Sequence, residues 1–187
     1  MSCERCELYK NATQTVFGEG PINAPIFFVA EQPGNSEDLN GRPLIGPAGQ
    51  IFDLCLAEAG IKRDICYITN AVKHFRYLKR GKRRLHQRPL AGHIEACRWW
   101  LQQEIALVQP KLFVALGAVA ARSLLGRPIK IAEMRGRPLA YEDRFIFVTI
   151  HPSYLLRLRG RSGFDRERNK FLEELTSIEE FMRMDAQ

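Results

Sequence analysis

No apolar run in this 187-residue sequence approaches the roughly 20 residues that a membrane-spanning helix needs. Its first residues, Met-Ser-Cys-Glu, lack the apolar core of a secretory signal peptide. The number of cysteines, five, is odd, which argues against a disulfide framework in a chain without such a signal. We therefore expect a cytoplasmic protein outside membranes, in which some cysteines serve a purpose other than disulfide bonding.

Basic residues outnumber acidic ones. The 28 Lys and Arg against 21 Asp and Glu give a formal net charge of +7 and an isoelectric point near 9.4. The basic residues crowd into the stretches 73–88, 122–137 and 157–170, which favours a polyanion such as DNA as the partner. The length and the 45% of hydrophobic residues predict a single globular domain over residues 1–187.

Short apolar runs alternate with helical patterns along the chain. Strands are predicted in APIFFVAEQPG, DICYITNAV, KLFVALG and FIFVTIHPS, and helices in GPAGQIFDLCLAEAGI, from His93 to about Gln109, in AVAARSLLG and in RERNKFLEELTSIEEFMR. This alternation indicates an α/β fold, a three-layer α/β/α sandwich with a mostly parallel central sheet. Cys55 and Cys66 lie in these runs and are expected to be small buried side chains. The stretches 76–89 and 129–144 are interpreted as loop and irregular structure.

Polar residues collect after the predicted strands. In a parallel sheet, ligands bind outside the carboxyl ends of the strands. Any one polar residue there is explained by the polarity of loops, but the group predicts a site at this edge. Its members are Glu31, Gln32, Asn35, Asn70, His74, His151 and Ser153.

Cys3 and Cys6 form a C-x2-C pair, which is a weak signal for a metal site when it stands alone. Further ligands are needed, and Cys97 and His74 are the candidates. Three cysteines and one histidine suit a tetrahedral zinc ion or an iron–sulfur cluster. Composition does not choose between these two, and the pair also fits simple free thiols.

One histidine, His86, lies within the basic stretch RYLKRGKRRLHQRP. The neighbouring Lys82, Arg83 and Arg84 would suffice to draw this loop onto a phosphate backbone. A lone histidine in such a loop is usually a phosphate contact, but it also raises the hypothesis that the loop delivers an imidazole to a reaction site.

The motifs VFGEG, AEQPGNSEDLNGRPLIGPAG, YITNAVKH, LGAVAARSLLG, RGRPL and HPSYLLR occur in an order that resembles family 4-like uracil-DNA glycosylases. The resemblance extends from Cys3 to the last predicted helix. The glutamine of EQPG, the histidine of VKHF and the KRRLH loop together resemble the X-type branch, whose members cross-link themselves to the DNA sugar after removing uracil. The resemblance implies the fold of this superfamily, a monomer, and uracil-containing DNA as the partner, with single strands preferred.

The resemblance also implies roles for individual residues. Cys3, Cys6, His74 and Cys97 match the positions that hold a 4Fe-4S cluster in this branch, with His74 where plain family 4 members carry cysteine. The catalytic positions are matched by Glu31, Gln32, His86 and His151, with His86 as the nucleophile. The positions that contact substrate are matched by Gly34, Asn35, Leu44, Asn70, Arg84 and Ser153, with Arg84 also fixing the loop of His86.

The chemistry of uracil excision accounts for these residue types. Breaking the glycosidic bond leaves negative charge on uracil, which a donor such as His151 stabilises. The amide of Asn70 accepts from uracil N3–H and donates to O4, which cytosine cannot match. Glu31 offsets the positive charge on the sugar. Gln32 is uncharged, so it would position substrate rather than activate water.

Three sequence features carry further expectations. Ala30 replaces the glycine that usually precedes EQPG, which a strand tolerates. Leu44 replaces a stacking phenylalanine, so base stacking should be weaker or come from another aromatic residue such as Phe52. Leu155 and Leu156 in HPSYLLR could wedge into the base stack while Ser153 and Arg157 hold phosphates, or else pack in the core.

Two alternative functions stay open at this stage. A glycosylase with ordinary turnover would use His86 only as a phosphate contact. A non-catalytic single-strand DNA sensor would carry a decayed pocket, although the intact Glu31, Asn70 and His151 argue against it.

Overall fold

The computed structural model describes residues 3–185. The strands are β1 Ile26–Ala30, β2 Cys66–Asn70, β3 Tyr77–Arg80, β4 Arg83–His86, β5 Leu112–Leu116, β6 Pro138–Tyr141 and β7 Arg144–Thr149. The helices are α1 Asn35–Asn40, α2 Pro47–Glu58, α3 Ala91–Val108, α4 Ala118–Leu125, α5 Ile131–Met134, α6 Ser153–Leu158 and α7 Phe164–Asp185. Short 3-10 helices span Glu7–Lys10 and Arg63–Ile65.

The central sheet has five strands in the order β2-β1-β5-β7-β6. The first four run parallel, and β6 pairs antiparallel with β7 at the edge. The prediction of a mostly parallel sheet is confirmed. The stretch 129–144 was interpreted as irregular, but it contains α5 and β6. Pro138 begins β6. Proline has no N–H to donate to the ladder, and the first residue of an edge strand is a position where this donor is not needed.

Helices cover both faces of this sheet, so the predicted α/β/α sandwich is confirmed. On one face the core joins the sheet to α2, α6 and α7, and on the other it joins the sheet to α3 and α4. All five residues of β1 are buried, as expected for a strand covered on both sides. Cys55 and Cys66 are buried in the first of these cores, as the sequence predicts.

The basic stretch is a β-hairpin rather than a loop. Among residues 3–185, strands β3 and β4 pair only with each other, with Tyr77 opposite His86 and Leu78 opposite Leu85. Because side chains alternate along a strand, Tyr77, Arg84 and His86 share one face of the hairpin, and the two leucines share the other.

The segment HPSYLLR forms α6. Leu155 is fully buried in the core, so for this residue the core-packing alternative holds and wedging into DNA does not. Leu156 is only partly buried, and it faces the cavity described below. None of the helices within residues 3–185 is both long and apolar enough to span a bilayer.

Candidate functional site

A cavity of about 920 Å³ opens at the carboxyl ends of the parallel strands. Its lining includes every catalytic and substrate-binding residue that the sequence predicts, except Arg84. These lining residues are Glu31, Gln32, Gly34, Asn35, Leu44, Asn70, His86, His151 and Ser153. The location agrees with the rule for open parallel sheets.

Asn70 is the last residue of β2, and only 2% of its surface is exposed. Its side-chain nitrogen, Nδ2, is buried and has no hydrogen-bond partner among the described residues. A buried donor without a hydrogen-bond partner costs free energy, so such groups are usually hydrogen-bonded. Where the protein provides no acceptor, a bound ligand can provide one. Asn70 therefore presents a donor to the cavity that a base carbonyl oxygen can satisfy.

His151 follows β7 and is oriented by Ser153. The backbone N–H of Ser153 donates to Nδ1 of His151 at 3.1 Å, and the Ser153 hydroxyl lies 2.8 Å from the same atom. Burial, together with the neighbouring His86 and Arg157, lowers the pKa of His151 to about 4. The ring is therefore neutral near pH 7, and because Nδ1 accepts a hydrogen bond, its proton resides on Nε2.

Glu31 directly follows β1, at the same edge of the sheet. Burial raises its pKa, and the nearby Arg88 and Arg157 oppose this shift. The Oε1 atom of Glu31 lies 3.7 Å from Nε2 of His86. A carboxylate thus adjoins the imidazole at the rim of the cavity.

Glu37, which the sequence analysis missed, organises the loop beside the pocket. Its carboxylate accepts hydrogen bonds from the backbone N–H groups of Gly34, Ile45 and Gly46 at 2.7 to 3.0 Å. These bonds hold Leu44 in a left-handed conformation with φ 53°. A glutamate within a polar helix gives no sequence signal that distinguishes this role from a solvated surface position.

Leu44 is buried at the cavity wall, as its assignment to the pocket predicts. The loop fits only because residue 49 is glycine, since a Cβ there would meet the carbonyl oxygen of Leu44 at 2.0 Å. Phe52 packs edge-on against Phe28 in the core and does not reach the cavity. The suggestion that Phe52 replaces the missing stacking ring is therefore wrong. Tyr154, on α6, is an aromatic residue that does line the cavity.

His86 ends β4, and half of its side chain (51%) is exposed. Its Nε2 lies 2.9 Å from the side-chain nitrogen of Gln32. Because the oxygen of the same amide accepts from the backbone N–H of Arg76, its NH2 group faces the imidazole, and Nε2 must act as an acceptor. Burial and the charge of Arg157 lower the pKa of His86. The ring is thus neutral at neutral pH, with its proton on Nδ1.

Gln32 anchors the hairpin to the end of β1. Its nitrogen also lies within hydrogen-bond distance of two backbone oxygens, Arg76 O at 3.2 Å and Gln87 O at 2.9 Å. The described contacts of this amide are therefore with the base of the hairpin and with His86. The sequence placed Gln32 in the site but gave no sign of this link.

Arg84 joins the inner face of the hairpin to the body of the protein. Its guanidinium donates to Asn35 at 2.7 Å and to the fully buried carboxylate of Asp38. It also lies over the rings of Phe75 and Tyr77, at 5.4 and 5.1 Å. Asp38 and the two rings were not predicted to belong to the site.

The four predicted metal ligands lie in one region, connected by shared contacts. The thiols of Cys6 and Cys97 hydrogen-bond to each other. The Thr15 hydroxyl accepts from the backbone N–H of Cys3 at 3.2 Å and lies 3.0 Å from Nε2 of His74. Among residues 3–185, no three His, Cys, Asp or Glu side chains converge closely enough to hold a metal ion as they stand.

The chemistry of these donors fits a metal group. Nδ1 of His74 is buried without a hydrogen-bond partner among the described residues. Cys3, Cys6 and Cys97 are free thiols, and the hydrogen bond from Cys97 lowers the pKa of Cys6 to about 6. Thiolate is the form that binds metals. Three thiols and one imidazole suit zinc or an iron–sulfur cluster equally well.

Comparison with known proteins shows to which family this chain belongs. Residues 17–176 match the uracil DNA glycosylase superfamily. The Type-4 uracil-DNA glycosylase of Thermotoga maritima is 34% identical over 98% of this chain and 91% of its own length. Those of Pyrobaculum aerophilum and Sulfurisphaera tokodaii are 33% and 32% identical, over 85% and 83% of this chain and 83% and 72% of their own lengths. The chain therefore belongs to the uracil DNA glycosylase superfamily, and the relatives it resembles over most of its length are Type-4 enzymes.

Proposed function

We propose that this protein is a uracil-DNA glycosylase of the X-type branch, which excises uracil and then becomes linked to the deoxyribose through His86. The observation that carries the proposal is the position of His86. A neutral imidazole is held 2.9 Å from Gln32 and 3.7 Å from Glu31, at the rim of the cavity that contains Asn70 and His151. The Type-4 relatives support the glycosylase activity, and the hairpin contacts support the covalent step.

Base selection is assigned to Asn70. Its unpartnered Nδ2 donates to O4 of uracil, while its Oδ1 accepts from N3–H. Cytosine presents an amino donor in place of O4 and an acceptor in place of N3–H, so both hydrogen bonds would be lost. A flipped base is thus selected by an amide that the strand end holds in place.

His151 stabilises the departing base. When the C1′–N1 bond breaks, its electron pair moves onto uracil, and negative charge develops on a uracil oxygen. The Nε2–H of a neutral His151 donates to that oxygen, and this interaction strengthens as the charge develops. Ser153 keeps the ring in the required tautomer through its bond to Nδ1.

The sugar is captured by the imidazole. The carboxylate of Glu31 offsets the positive charge on the deoxyribose, and the lone pair on Nε2 of His86 forms the new bond to C1′. The Nδ1 proton then leaves to solvent, so the attached ring is again neutral. Because this lone pair accepts from Gln32 in the structure, that hydrogen bond must break as the bond to C1′ forms. Gln32 cannot act as a base, so water competes poorly with a nucleophile held in place.

We also propose that Cys3, Cys6, His74 and Cys97 hold a 4Fe-4S cluster. Excision includes no redox step, so the cluster would act as a structural cross-link between the N-terminal segment and the loop after β2. Iron and sulfide analysis should give about four of each per chain. Cys6→Ala should lower both contents, whereas the control Cys55→Ala, in the core, should not. One zinc per chain and no iron would contradict the proposal.

The DNA partner is proposed to be single-stranded by preference, bound by one copy of a single-domain chain. The residues assigned to catalysis, Glu31, Gln32, His86 and His151, all line one cavity. Leu155 lies in the core and cannot open a duplex, which favours substrates that are already unpaired. Excision from a single strand should therefore be faster than from the matching duplex.

The experiment that tests the function combines two readouts on one reaction. The protein is mixed with a single-stranded oligonucleotide that contains one uracil, and both uracil release and migration on a denaturing gel are followed. The proposal predicts release together with a shifted band, and His86→Ser should abolish the shift. Absence of release would contradict the glycosylase assignment.

A glycosylase with ordinary turnover is the second candidate. The Type-4 relatives favour it, and so does the placement of Glu31, whose carboxylate borders the same cavity and could orient a water molecule. This enzyme would release many uracils per protein molecule and leave no shifted band.

A further inference from the structure

Two buried ionic networks lie directly behind the two residues assigned to the base. The first, here called the β2 brace, consists of Thr69, Lys73 and Glu104. The Thr69 hydroxyl donates to Glu104 at 2.9 Å, and the Lys73 ammonium donates to Glu104 at 2.6 Å and to the Thr69 oxygen at 2.7 Å. The third ammonium bond, at 2.8 Å, goes to the backbone oxygen of Asn70. The brace thus holds the base-reading residue itself.

The second network, here called the β7 brace, consists of Thr149, Glu174 and Arg135. The Thr149 hydroxyl donates to Glu174, and the Arg135 guanidinium donates to the other oxygen of that carboxylate at 2.6 Å. Thr149 is the last residue of β7 and lies two residues before His151. The brace thus holds the strand end from which the donor of the leaving group projects.

The two braces share one plan but approach the sheet from opposite faces. In each, a threonine at a strand end donates to a helix carboxylate, which a buried cation neutralises. Glu104 belongs to α3 on one face, and Glu174 belongs to α7 on the other. The strand ends of β2 and β7 are therefore clamped independently of each other.

Stability alone does not explain these groups. Both threonines and Lys73 are completely buried, and the carboxylates are nearly so. Removing such charges from water costs free energy that their attraction only offsets, and apolar replacements of similar shape are often as stable. The hydrogen bonds of a buried network do, however, fix the geometry of the residues that they join, and they do so in the β7 brace although Nη2 of Arg135 has no partner among residues 3–185.

From this we infer that Thr69 with Glu104, and Thr149 with Glu174, are positioning residues for excision. The β2 brace sets the orientation of Asn70 and thereby substrate binding. The β7 brace sets the position of His151 and thereby the rate of base departure. The inference rests on the proposed glycosylase function. It predicts that loss of the β2 brace weakens substrate binding and that loss of the β7 brace slows base departure.

The test uses Thr69→Val and Thr149→Val, each with a Thr→Ser partner that keeps the hydroxyl. Single-turnover uracil release is measured against protein concentration, which separates half-saturation from maximal rate. Thr69→Val should raise the half-saturation concentration about tenfold, and Thr149→Val should lower the maximal rate about tenfold, as expected for loss of a hydrogen bond to a charged group. Both Ser variants should restore wild-type values. The control Thr176→Val, which removes a hydroxyl bonded to a carbonyl of α7, should change neither parameter.

A structural role would produce a different pattern. Equal changes of both parameters in both Val variants, or failure of the Ser variants to restore them, would overturn the inference while leaving the glycosylase function intact. If a Val variant does not fold, Glu104→Gln and Glu174→Gln must show the same separation. A wild-type protein that releases no uracil would overturn both the function and the inference.

Discussion

Two parts of the cavity are built in different ways. The base half contains Asn70 and His151, which are proposed to contact uracil, and the sugar half contains Glu31, Gln32 and His86, which are proposed to act at the deoxyribose. Asn70 is the last residue of β2 and is 2% exposed, and His151 lies two residues beyond the end of β7. His86 instead projects from a hairpin that pairs only with itself, and 51% of its side chain is exposed. The residues proposed to recognise the base are therefore held by the central sheet, whereas the proposed nucleophile is delivered by a surface element.

The hairpin is held to the body at its base and along its inner face. Gln32 binds the base of the hairpin, and Arg84 joins its inner face to Asn35 and Asp38. Loosening these contacts should affect the sugar step without disturbing the sheet. The comparison thus predicts that substitutions separate excision from cross-linking.

The largest loss of excision is expected for His151→Ala. Removing one donor to a developing oxyanion costs about 10² to 10³ in rate. Cross-linking should fall equally, because the sugar becomes reactive only when uracil leaves. Single-turnover release measures the first effect and a denaturing gel the second. A loss below tenfold would show that His151 does not stabilise the leaving base.

A smaller effect, confined to the base half, is expected for Asn70→Asp. A carboxylate offers acceptors where uracil O4 needs a donor, so the preference for uracil over cytosine should fall by about tenfold or more. Base release is measured from two oligonucleotides that are identical except that one contains uracil and the other cytosine, and the two rates give this ratio. An unchanged ratio with unchanged activity would remove Asn70 as the reader.

The matching change in the sugar half is Gln32→Ala. Loss of the amide frees the base of the hairpin and the ring of His86, so the rate of cross-linking should fall about tenfold while uracil release falls less. Gln103→Ala, at an exposed position of α3, is the matched control. Equal losses of release and cross-linking would mean that Gln32 serves the base half as well.

The smallest effect concerns pH. The pKa of His86 lies below its ordinary value of 6.5, so more than half of the imidazole is still neutral at pH 6.5. Cross-linking should therefore drop at most about twofold from mildly alkaline solution to pH 6.5, and steeply only under more acidic conditions. His151, with a pKa of about 4, stays neutral throughout. If cross-linking falls to half of its maximum already above pH 6.5, the conclusion that the His86 imidazole is mostly neutral at that pH would be wrong.

The sequence predicts the sheet better than the hairpin for a physical reason. Continuous apolar runs such as IFFVA mark buried strands without any tertiary information. In β3 and β4 the period-2 pattern is masked, because inward and outward faces both carry arginine or lysine. Leu78 and Leu85 are the apolar side chains of these two strands, and both are exposed.

The site residues were also predicted only in part from the sequence. Its residues at strand ends were predicted, because polar side chains after apolar strands mark the ligand edge of a parallel sheet. Glu37, Glu104 and Glu174 were missed, because a glutamate in a helix resembles a solvated one until its burial is known. Phe52 was misplaced for the converse reason, since its helical position gave no sign that it faces the core rather than the cavity.

The most direct test of the covalent proposal is the stoichiometry of uracil release. Wild-type protein is incubated with a large excess of single-stranded uracil DNA, and released uracil is counted against active protein over time. We predict that release stops at one uracil per protein molecule, with the protein fully shifted on a denaturing gel and His86 as the modified residue in mass spectrometry. Continued release of many uracils per molecule, without a shifted band, would contradict it.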